Sequence, residues 1–218
     1  MARVAVVLAG GDPVEPRLRE RLPDEAFVVA ADSGVHAADG LGLAVNVIVG
    51  DFDSADPEVV DAVLARGAVA LEYPVAKDAT DLELALNVAV DQEVERIVIV
   101  GGAGGRLDHY LANVALLASP RFAGVQIEAF FADAHVSVVR GGEGEIEIRG
   151  APGETLTLLP VGGDALGIVT NGLEYPLRVE DLPVGTTRGV SNVIVDVPAS
   201  VALTTGTLLI IRPEGGRP

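Results

Sequence analysis

The 218-residue sequence contains no cysteine and no tryptophan, and it has only three histidines and one methionine. The absence of cysteine excludes disulfide bonds and cysteine-ligated zinc. His36, His109 and His135 are not spaced as metal-ligand pairs, so a histidine-rich zinc site is not expected. No apolar run approaches the roughly 18 residues of a membrane-spanning helix, and the apolar N-terminus is too short for a signal peptide. We therefore predict a cytoplasmic protein with no membrane partner.

Basic residues are also scarce, and the formal net charge is -17. Binding to a nucleic acid needs clustered lysine and arginine, so we expect no nucleic-acid partner. Most of the acids are expected to form a solvated surface. Any metal would be a hard cation bound by oxygen, such as Mg²⁺ or Ca²⁺. Among the 15 basic residues there is one lysine, Lys77, and it lies within the densest motif of the chain.

The first part of the chain alternates short apolar runs with helical patterns. The runs are typical of strands buried on both faces, and each is followed by glycine or aspartate. They are Val4–Leu8, Phe27–Ala31, Val45–Val49 and Ile97–Val100. Helices are predicted to begin near Asp56-Pro57, at the capping box Thr80–Glu83, and near Leu107. This alternation predicts an α/β domain whose parallel sheet is covered on both faces.

The pattern changes after about residue 132, where strand-like segments follow one another without a convincing helix. These segments are Val136–Arg140, Glu145–Arg149, Thr155–Leu159, Val193–Val197 and Thr207–Arg212. Turns rich in glycine and proline separate them, which is typical of a small sandwich or barrel. We therefore predict an α/β domain over residues 1–132 and an all-β domain over residues 133–218.

Two acids, Asp51 and Asp53, directly follow the third predicted strand. If the chain stays extended, both side chains point the same way and can bind one divalent cation. Mg²⁺ in proteins typically takes one or two carboxylates and completes its shell with water and substrate phosphates. The alternative is that Asp51 and Ser54 serve as turn and capping residues.

A second cluster, Lys77-Asp78-Ala79-Thr80-Asp81, opens a predicted helix. The positive end of the helix dipole alone would account for the two acids, but it does not account for Lys77. A flexible ammonium group is a common partner of nucleotide phosphates. Asp81 is well placed to add a metal ligand.

A glycine-rich loop, Gly101–Arg106, follows the fourth predicted strand and leads into a helix. This geometry is typical of phosphate-binding loops, although the loop could also be a flexible turn. It is not a Walker A loop, because no Gly-Lys-Ser/Thr follows. Arg106 adds a permanently charged donor, and His109 could face the cleft or cap the helix.

In an open α/β sheet these segments all lie beyond the carboxyl ends of the strands. Acids, a lysine, an arginine and a glycine loop would then meet at one edge of the sheet. Phosphoryl transfer needs such a set, because the protein mainly neutralises charge and positions the reactants.

The motifs, in their order and approximate spacing, resemble the thiamine pyrophosphokinase family over about residues 27–212. The matching segments are Ala31–Gly34, Gly50–Ser54, Lys77–Asp81, Gly104–His109 and Gly189–Asn192. The pair Gly-Asp-Phe-Asp-Ser and Lys-Asp-x-Thr-Asp is the most specific part of this resemblance.

The resemblance implies a Rossmann-like nucleotide domain followed by a β-sandwich, in a homodimer that makes thiamine diphosphate and AMP from ATP and thiamine. By motif match, Asp51, Asp53 and Asp81 would hold Mg²⁺, and Lys77 and Asp78 would join them as catalytic residues. The residues implied around ATP are Asp32, Ser33, Gly34, Gly104, Gly105, Arg106, Asp108 and His109. Ser191 and Asn192 would help to bind thiamine, although on their own they read as an ordinary turn.

Two departures from the family pattern bear on the nucleotide site and on the acceptor alcohol. His36 stands where many family members have an amide, and the chain has no tryptophan to stack on the thiamine rings. They motivate a second hypothesis, a diphosphokinase that acts on another small alcohol such as a pterin. A third hypothesis is a regulator that binds nucleotide or thiamine without turnover.

Overall fold

The structure, a computed structural model, describes residues 3–214. Contacts within the chain divide it into two compact units. The first contains the described residues up to Leu116 together with Gly124–Ala132. The second contains Leu117–Ala123 together with the described residues from Asp133 onward. None of the helices in the described part of the chain combines the length and the apolar character needed to cross a membrane.

The first unit is built around a parallel β-sheet. Its strands, within the described residues, are β1 (Val4–Ala9), β2 (Phe27–Ala31), β3 (Val47–Gly50), β4 (Val69–Glu72), β5 (Arg96–Gly101) and β6 (Gln126–Phe131). The strand order is β6-β5-β1-β2-β3-β4, and each neighbouring pair is parallel. Both β1 and β5 are buried over nearly their whole length. This confirms the sequence-based prediction for strands enclosed on both faces.

The structure describes four helices in this unit, of which the three from Pro57 onward begin where the sequence signals predict and the short one after β2 was not predicted. They are α1 (His36–Gly40), α2 (Pro57–Ala65), α3 (Asp81–Asp91) and α4 (Leu107–Leu116), with 3₁₀ turns at Pro16–Arg21 and Asp32–Val35. The side chain of Asp56 caps α2 by accepting a hydrogen bond from the Glu58 amide at 2.9 Å. The hydroxyl of Thr80 caps α3 by accepting a hydrogen bond from the Glu83 amide at 3.3 Å. Each cap satisfies an amide that the first helical turn leaves without a partner.

The order of the strands along the chain reverses at β1. Strands β2, β3 and β4 lie on one side of β1, whereas β5 and β6 lie on the other. Beside such a reversal, the carboxyl ends of neighbouring strands form a crevice in which ligands bind. The topology therefore places the residues that follow β1, β2 and β5 at this crevice.

The second unit contains two antiparallel arrangements of strands. In the described residues these strands are β7 (Ala134–Arg140), β8 (Ile146–Ile148), β9 (Thr155–Pro160), β10 (Ala165–Asn171), β11 (Arg178–Leu182), β12 (Asn192–Val193), β13 (Ala199–Ala202) and β14 (Thr207–Pro213). Four of them pair in the order β12-β9-β14-β7, and the other four in the order β11-β10-β13-β8. One apolar core takes buried side chains from both arrangements, for example Leu158 from β9 and Ile168 from β10. Two antiparallel sets of strands around one apolar core are typical of a sandwich rather than a barrel.

The predicted strand Val193–Val197 is wrong over most of its length. In this segment only Asn192–Val193 pairs as a strand, with Thr155 and Leu156 of β9. The carbonyl of Gly172 accepts hydrogen bonds from the amides of both Val195 and Asp196, at 2.8 Å and 3.2 Å. The first of these hydrogen bonds belongs to an isolated antiparallel bridge between Leu173 and Ile194, and strand pairing does not continue beyond it.

Sequence patterns also miss five strands: β4, β6, β10, β11 and β13. Most residues of β4 and β11 are exposed, so neither strand shows a buried apolar run. Gly167 interrupts the pattern of β10, and Glu128 interrupts that of β6. Pairing with neighbouring strands, rather than local pattern, makes these segments strands.

The close approach of Gly34 to β1 gives a test of the fold next to the predicted nucleotide motif. A Cβ on Gly34 would lie 2.1 Å from the backbone oxygen of Leu8, and backbone cannot move aside cheaply. We expect Gly34→Ala to lower the free energy of unfolding by at least about 2 kcal/mol in urea denaturation followed by circular dichroism.

Gly40→Ala is the matched control, because no atom lies within 4 Å of a Cβ built on Gly40. It should change the free energy of unfolding by less than about 1 kcal/mol. Equal stability of the two variants would contradict the packing described here.

Candidate functional site

The carboxyl ends of the parallel strands in the first unit surround a cavity of about 670 Å³. This volume lies within the range typical of small-ligand pockets, ~300–1,000 Å³. The cavity wall includes Asp32, Ser33, Asp51, Asp53, Lys77, Asp81, Gly104, Arg106 and His109. These nine residues were predicted as site residues from the sequence, and the structure brings them to one pocket.

Four other predicted residues of this unit, Gly34, Asp78, Gly105 and Asp108, are not part of the cavity wall. Asp78 is exposed, although its neighbours in the motif line the pocket. Gly34 is buried against the backbone of β1, so it contributes a close approach of the chain rather than a functional group.

Three carboxylates form an acidic cluster in this pocket. Asp32 follows β2, and Asp51 and Asp53 follow β3; one oxygen from each lies within 4.8 Å of the others. Asp32 is 9% exposed, and its Oδ1 is buried without a hydrogen-bond partner among the described residues. Clustered carboxylate oxygens, one of them buried and unpartnered, are ligands suited to a small divalent cation. The donor set therefore fits Mg²⁺.

The backbone around this cluster adopts conformations that ordinary residues rarely use. Asp32 has a φ of 46° and Phe52 a φ of 61°. The side chain of Phe52 packs against the apolar core, which leaves Asp51 and Asp53 on either side of it at the pocket. Such strained residues concentrate at functional sites, where the surrounding structure holds them in place.

Lys77 lies between two carboxylates of the pocket. Its Nζ donates a hydrogen bond to Asp51 Oδ2 at 2.7 Å and lies 2.8 Å from Asp81 Oδ1. The hydrogen bond from Lys77 lowers the pKa of Asp51 below its ordinary value. Burial works to lower the pKa of Lys77, but its contacts with Asp51 and Asp81 outweigh burial and raise this pKa. The lysine is thus held in its charged form.

Asp32 experiences the opposite environment. Burial raises the pKa of its carboxyl group above the ordinary value, and the negative charges of Asp81 and Asp51 act in the same direction. Hydrogen bonds from Ser33 and Ser54 oppose this shift without cancelling it. Ionised Asp32 is therefore short of positive charge, which a bound cation would supply.

The glycine loop after β5 is held by backbone hydrogen bonds to the loop after β1. The amide of Gly102 donates to the Gly10 carbonyl at 3.0 Å, and the amide of Asp12 donates to the Ala103 carbonyl at 2.8 Å. Gly102 has a φ of 80°, a conformation that glycine adopts without steric cost. The loop is therefore fixed in place rather than free, and it forms part of the cavity wall.

Sequence reasoning missed Asn113, which anchors this loop. Asn113 lies on α4, is buried, and donates a hydrogen bond from Nδ2 to the Gly102 carbonyl at 2.9 Å. Its amide lies among the apolar positions of a predicted amphipathic helix, and a buried amide needs a specific partner. That break in the apolar pattern was the signal available in the sequence.

Arg106 and Asp108 form a bidentate ion pair at the start of α4. Nε of Arg106 donates to Asp108 Oδ1 at 3.1 Å, and Nη2 donates to Oδ2 at 2.6 Å. Both side chains are largely exposed. Asp108 is therefore placed to orient the guanidinium group at the mouth of the cavity.

The predicted thiamine residues, Ser191 and Asn192, lie in the second unit. Asn192 is buried, and its amide side chain bonds to both the backbone amide and the carbonyl of Tyr175, at 3.1 Å and 2.8 Å. Ser191 has a φ of 58°. Asn192 thus fixes the backbone of Tyr175, whose side chain is exposed, and a direct contact between Asn192 and thiamine stays a prediction.

Acidic residues, a lysine and a glycine loop at the carboxyl ends of parallel strands are typical of enzymes that transfer phosphoryl groups. Two family models match this chain: the catalytic domain of thiamin pyrophosphokinase over residues 18–129, and its vitamin B1 binding domain over residues 144–208. The chain belongs to the thiamin pyrophosphokinase family. The family predicted from the motifs is confirmed.

Similarity to known proteins extends along almost the whole chain. Thiamine pyrophosphokinase of Bacillus subtilis is 28% identical over 213 residues, covering 97% of this chain and 99% of the relative. The crystal structure of the thiamine pyrophosphokinase from Bacillus subtilis superposes with a TM-score of 0.85 at 26% identity, covering 98% of this chain and 100% of the other. That of Geobacillus thermodenitrificans gives a TM-score of 0.81 at 27% identity, covering 98% of each chain.

The ion pair at the start of α4 predicts an unusual titration. The two hydrogen bonds from Arg106 lower the pKa of Asp108 to about 2. Because this pKa lies below the ordinary 3.8, the pair favours folding above that pH and loses its effect as the pH falls through about 2. Carbon-detected NMR of the Asp108 carboxyl group measures this directly.

In Arg106→Gln the pKa of Asp108 should rise toward its ordinary value, whereas Arg106→Lys should leave it partly lowered. An unchanged pKa in Arg106→Gln would show that Arg106 does not hold this carboxylate.

Proposed function

We propose that this chain transfers a diphosphate group from ATP to the hydroxyl group of thiamine, giving thiamine diphosphate and AMP. The observation that carries the proposal is the match of both the catalytic and the vitamin B1 binding models to one chain. The pocket of the first unit supports it, because acids that fit a divalent cation, a charged lysine and a glycine loop meet there.

In the proposed reaction the thiamine hydroxyl oxygen forms a bond to the β-phosphorus of ATP. The bond from that phosphorus to the oxygen bridging the α-phosphate breaks, and AMP leaves with the bond's electron pair. The hydroxyl proton passes to a carboxylate of the pocket, and neither sequence nor geometry singles out which one. The protein's own contribution is mainly to orient the reactants and to offset negative charge.

Mg²⁺ is the proposed metal cofactor, and it would neutralise charge on the ATP phosphates. The motif match assigns Asp51, Asp53 and Asp81 as its ligands, and the geometry adds Asp32 as a candidate. Lys77 and Arg106 supply positive charge for the phosphates, and Asp108 orients Arg106. The fixed glycine loop offers backbone amides at the same cavity.

The fold type of the first unit, the role of the second unit, the oligomeric state and the location are proposals as well. We propose that the first unit is a Rossmann-like nucleotide domain, since its strand order reverses at β1 and its pocket lies at that reversal. We propose that the second unit binds thiamine, with Ser191 and the exposed ring of Tyr175 as candidates for contact. A homodimer and a cytoplasmic location remain predictions from the sequence and the family resemblance.

The two alternative functions gain no support from the comparisons. A pterin or other alcohol as acceptor would leave the donor chemistry unchanged, so an acceptor assay separates it from the main proposal. A regulator without turnover would bind ligands but form no product.

The direct test is a Mg²⁺–ATP assay that follows AMP and thiamine diphosphate together. We expect both products in equal amounts, only when thiamine is present. Product formed with a pterin alcohol but not with thiamine would show that the acceptor is the pterin alcohol and not thiamine. No product from a folded, ATP-binding preparation would overturn the catalytic proposal.

Asp53→Asn tests the role of the acidic cluster. The amide loses the negative charge that a cation needs, but it keeps an oxygen that can accept the hydrogen bond from Ser54, which is 2.9 Å long in the structure. We expect the fold to persist and turnover to fall by about a hundredfold or more in the same assay.

Asp61→Asn is the control, because Asp61 is exposed on α2 and is not part of the cavity wall. It should leave turnover unchanged. Near-normal activity in both Asp53→Asn and Asp51→Asn would remove the metal assignment.

A further inference from the structure

The acidic pocket already contains a cation of its own, the ammonium group of Lys77. Asp51 is the residue shared between this ammonium and the acidic cluster: its Oδ2 contacts Lys77, and the cluster places it beside Asp32 and Asp53. The second contact of the ammonium is Asp81, another predicted metal ligand. Lys77 thus engages two of the three carboxylates that the motif match assigns to Mg²⁺.

We infer that Lys77 is a built-in counterion that competes with the metal for Asp51 and Asp81 until a nucleotide draws it away. This inference rests on the cation site in the proposed function. It adds a regulatory property to that site: the divalent cation binds weakly by itself and binds well together with a nucleotide.

The charges around the pocket support a competition rather than a shared site. The side chains of Lys77 and Asp51 are each 12% exposed, so water screens the ammonium and its neighbours only partly. A divalent cation that bound Asp51 with Lys77 still in place would be repelled strongly at such short range. Either the ammonium moves or the metal loses part of its ligand set.

Lysine is suited to such movement. Its charge sits at the end of a flexible four-carbon chain, and a phosphate oxygen can replace a carboxylate as its partner. Among the described residues, the cavity wall contains one lysine, Lys77, and one arginine, Arg106. Arg106 is paired with Asp108. When Lys77 turns to the phosphates, Asp51 and Asp81 become available to the metal.

Binding of the metal and binding of the nucleotide should therefore strengthen each other. A nucleotide that attracts Lys77 raises the affinity for the metal, and by thermodynamic reciprocity the metal raises the affinity for the nucleotide by the same factor. Part of this coupling comes from direct contact between metal and phosphates. The part due to Lys77 is visible in the absence of nucleotide, where its removal should make metal binding tighter.

A purely structural role for Lys77 predicts the opposite result. If the ammonium only joins the loop after β3 to the start of α3, its loss would loosen Asp51 and Asp81. Metal binding without nucleotide would then weaken or stay the same. The sign of the change therefore separates a competing counterion from a structural ion pair.

The test measures binding of Mn²⁺ alone, without nucleotide or thiamine, from the electron paramagnetic resonance signal of free Mn²⁺. We expect Lys77→Met to bind Mn²⁺ about tenfold or more tightly than the unaltered protein, and Lys77→Arg to bind it no more tightly. Arg106→Gln is the matched control, because it removes the same charge from the same pocket without touching Asp51 or Asp81. It should change the affinity by less than about threefold.

Weaker, equal or undetectable Mn²⁺ binding by folded Lys77→Met would overturn the inference. An equal gain in Arg106→Gln would also overturn it, because the effect would then reflect net charge alone. If Lys77→Met does not fold in the absence of metal, Lys77→Gln, which keeps a polar side chain, replaces it in the same comparison.

These outcomes do not depend on turnover. Tighter Mn²⁺ binding by a chain that forms no thiamine diphosphate would keep this inference and end the proposed function. Unchanged Mn²⁺ binding by Lys77→Met, when the unaltered protein forms thiamine diphosphate, would end this inference and keep the proposed function.

Discussion

Repulsion among carboxylates is the constraint on which the site depends. Asp32, Asp51, Asp53 and Asp81 face one pocket, and the hydrogen-bonded ammonium of Lys77 offsets part of their charge. The opposite pKa shifts of Asp51 and Asp32 express this imbalance, since the first has a cationic partner and the second does not. A pocket of this kind is short of positive charge, which a divalent cation would supply.

The fold maintains this unfavourable arrangement through rigid local structure. Phe52 takes a left-handed conformation with its side chain packed against the core, and so holds Asp51 and Asp53 at the pocket. Two backbone hydrogen bonds and the buried amide of Asn113 fix the glycine loop across the cavity. The parallel sheet contributes the remaining constraint, because pairing of β2 with β3 brings Asp32 beside Asp51. Stability built elsewhere in the sheet offsets the strain at this edge.

Local sequence signals predicted the features that depend on residues close together in the chain. The buried runs of β1, β2 and β5 and the caps of α2 and α3 could be read from apolar runs and turn residues, as could the gathering of Asp51, Lys77 and Asp81. Contributions that depend on strand pairing could not be read in this way. The anchoring role of Asn113 and the attachment of Asn192 to Tyr175 both depend on partners distant in sequence. The exposed strands β4 and β11 escaped prediction for the same reason.

The proposed site requires that the carboxylates after β2 and β3 hold the divalent cation that binds the ATP phosphates. The most direct measurement is anomalous diffraction from crystals grown with Mn²⁺ and a non-hydrolysable ATP analogue. We expect a Mn²⁺ peak in contact with Asp51, Asp53 and phosphate oxygens, with Lys77 turned toward the phosphates. A Mn²⁺ peak away from these carboxylates, or phosphates bound with Lys77 still between Asp51 and Asp81, would contradict it.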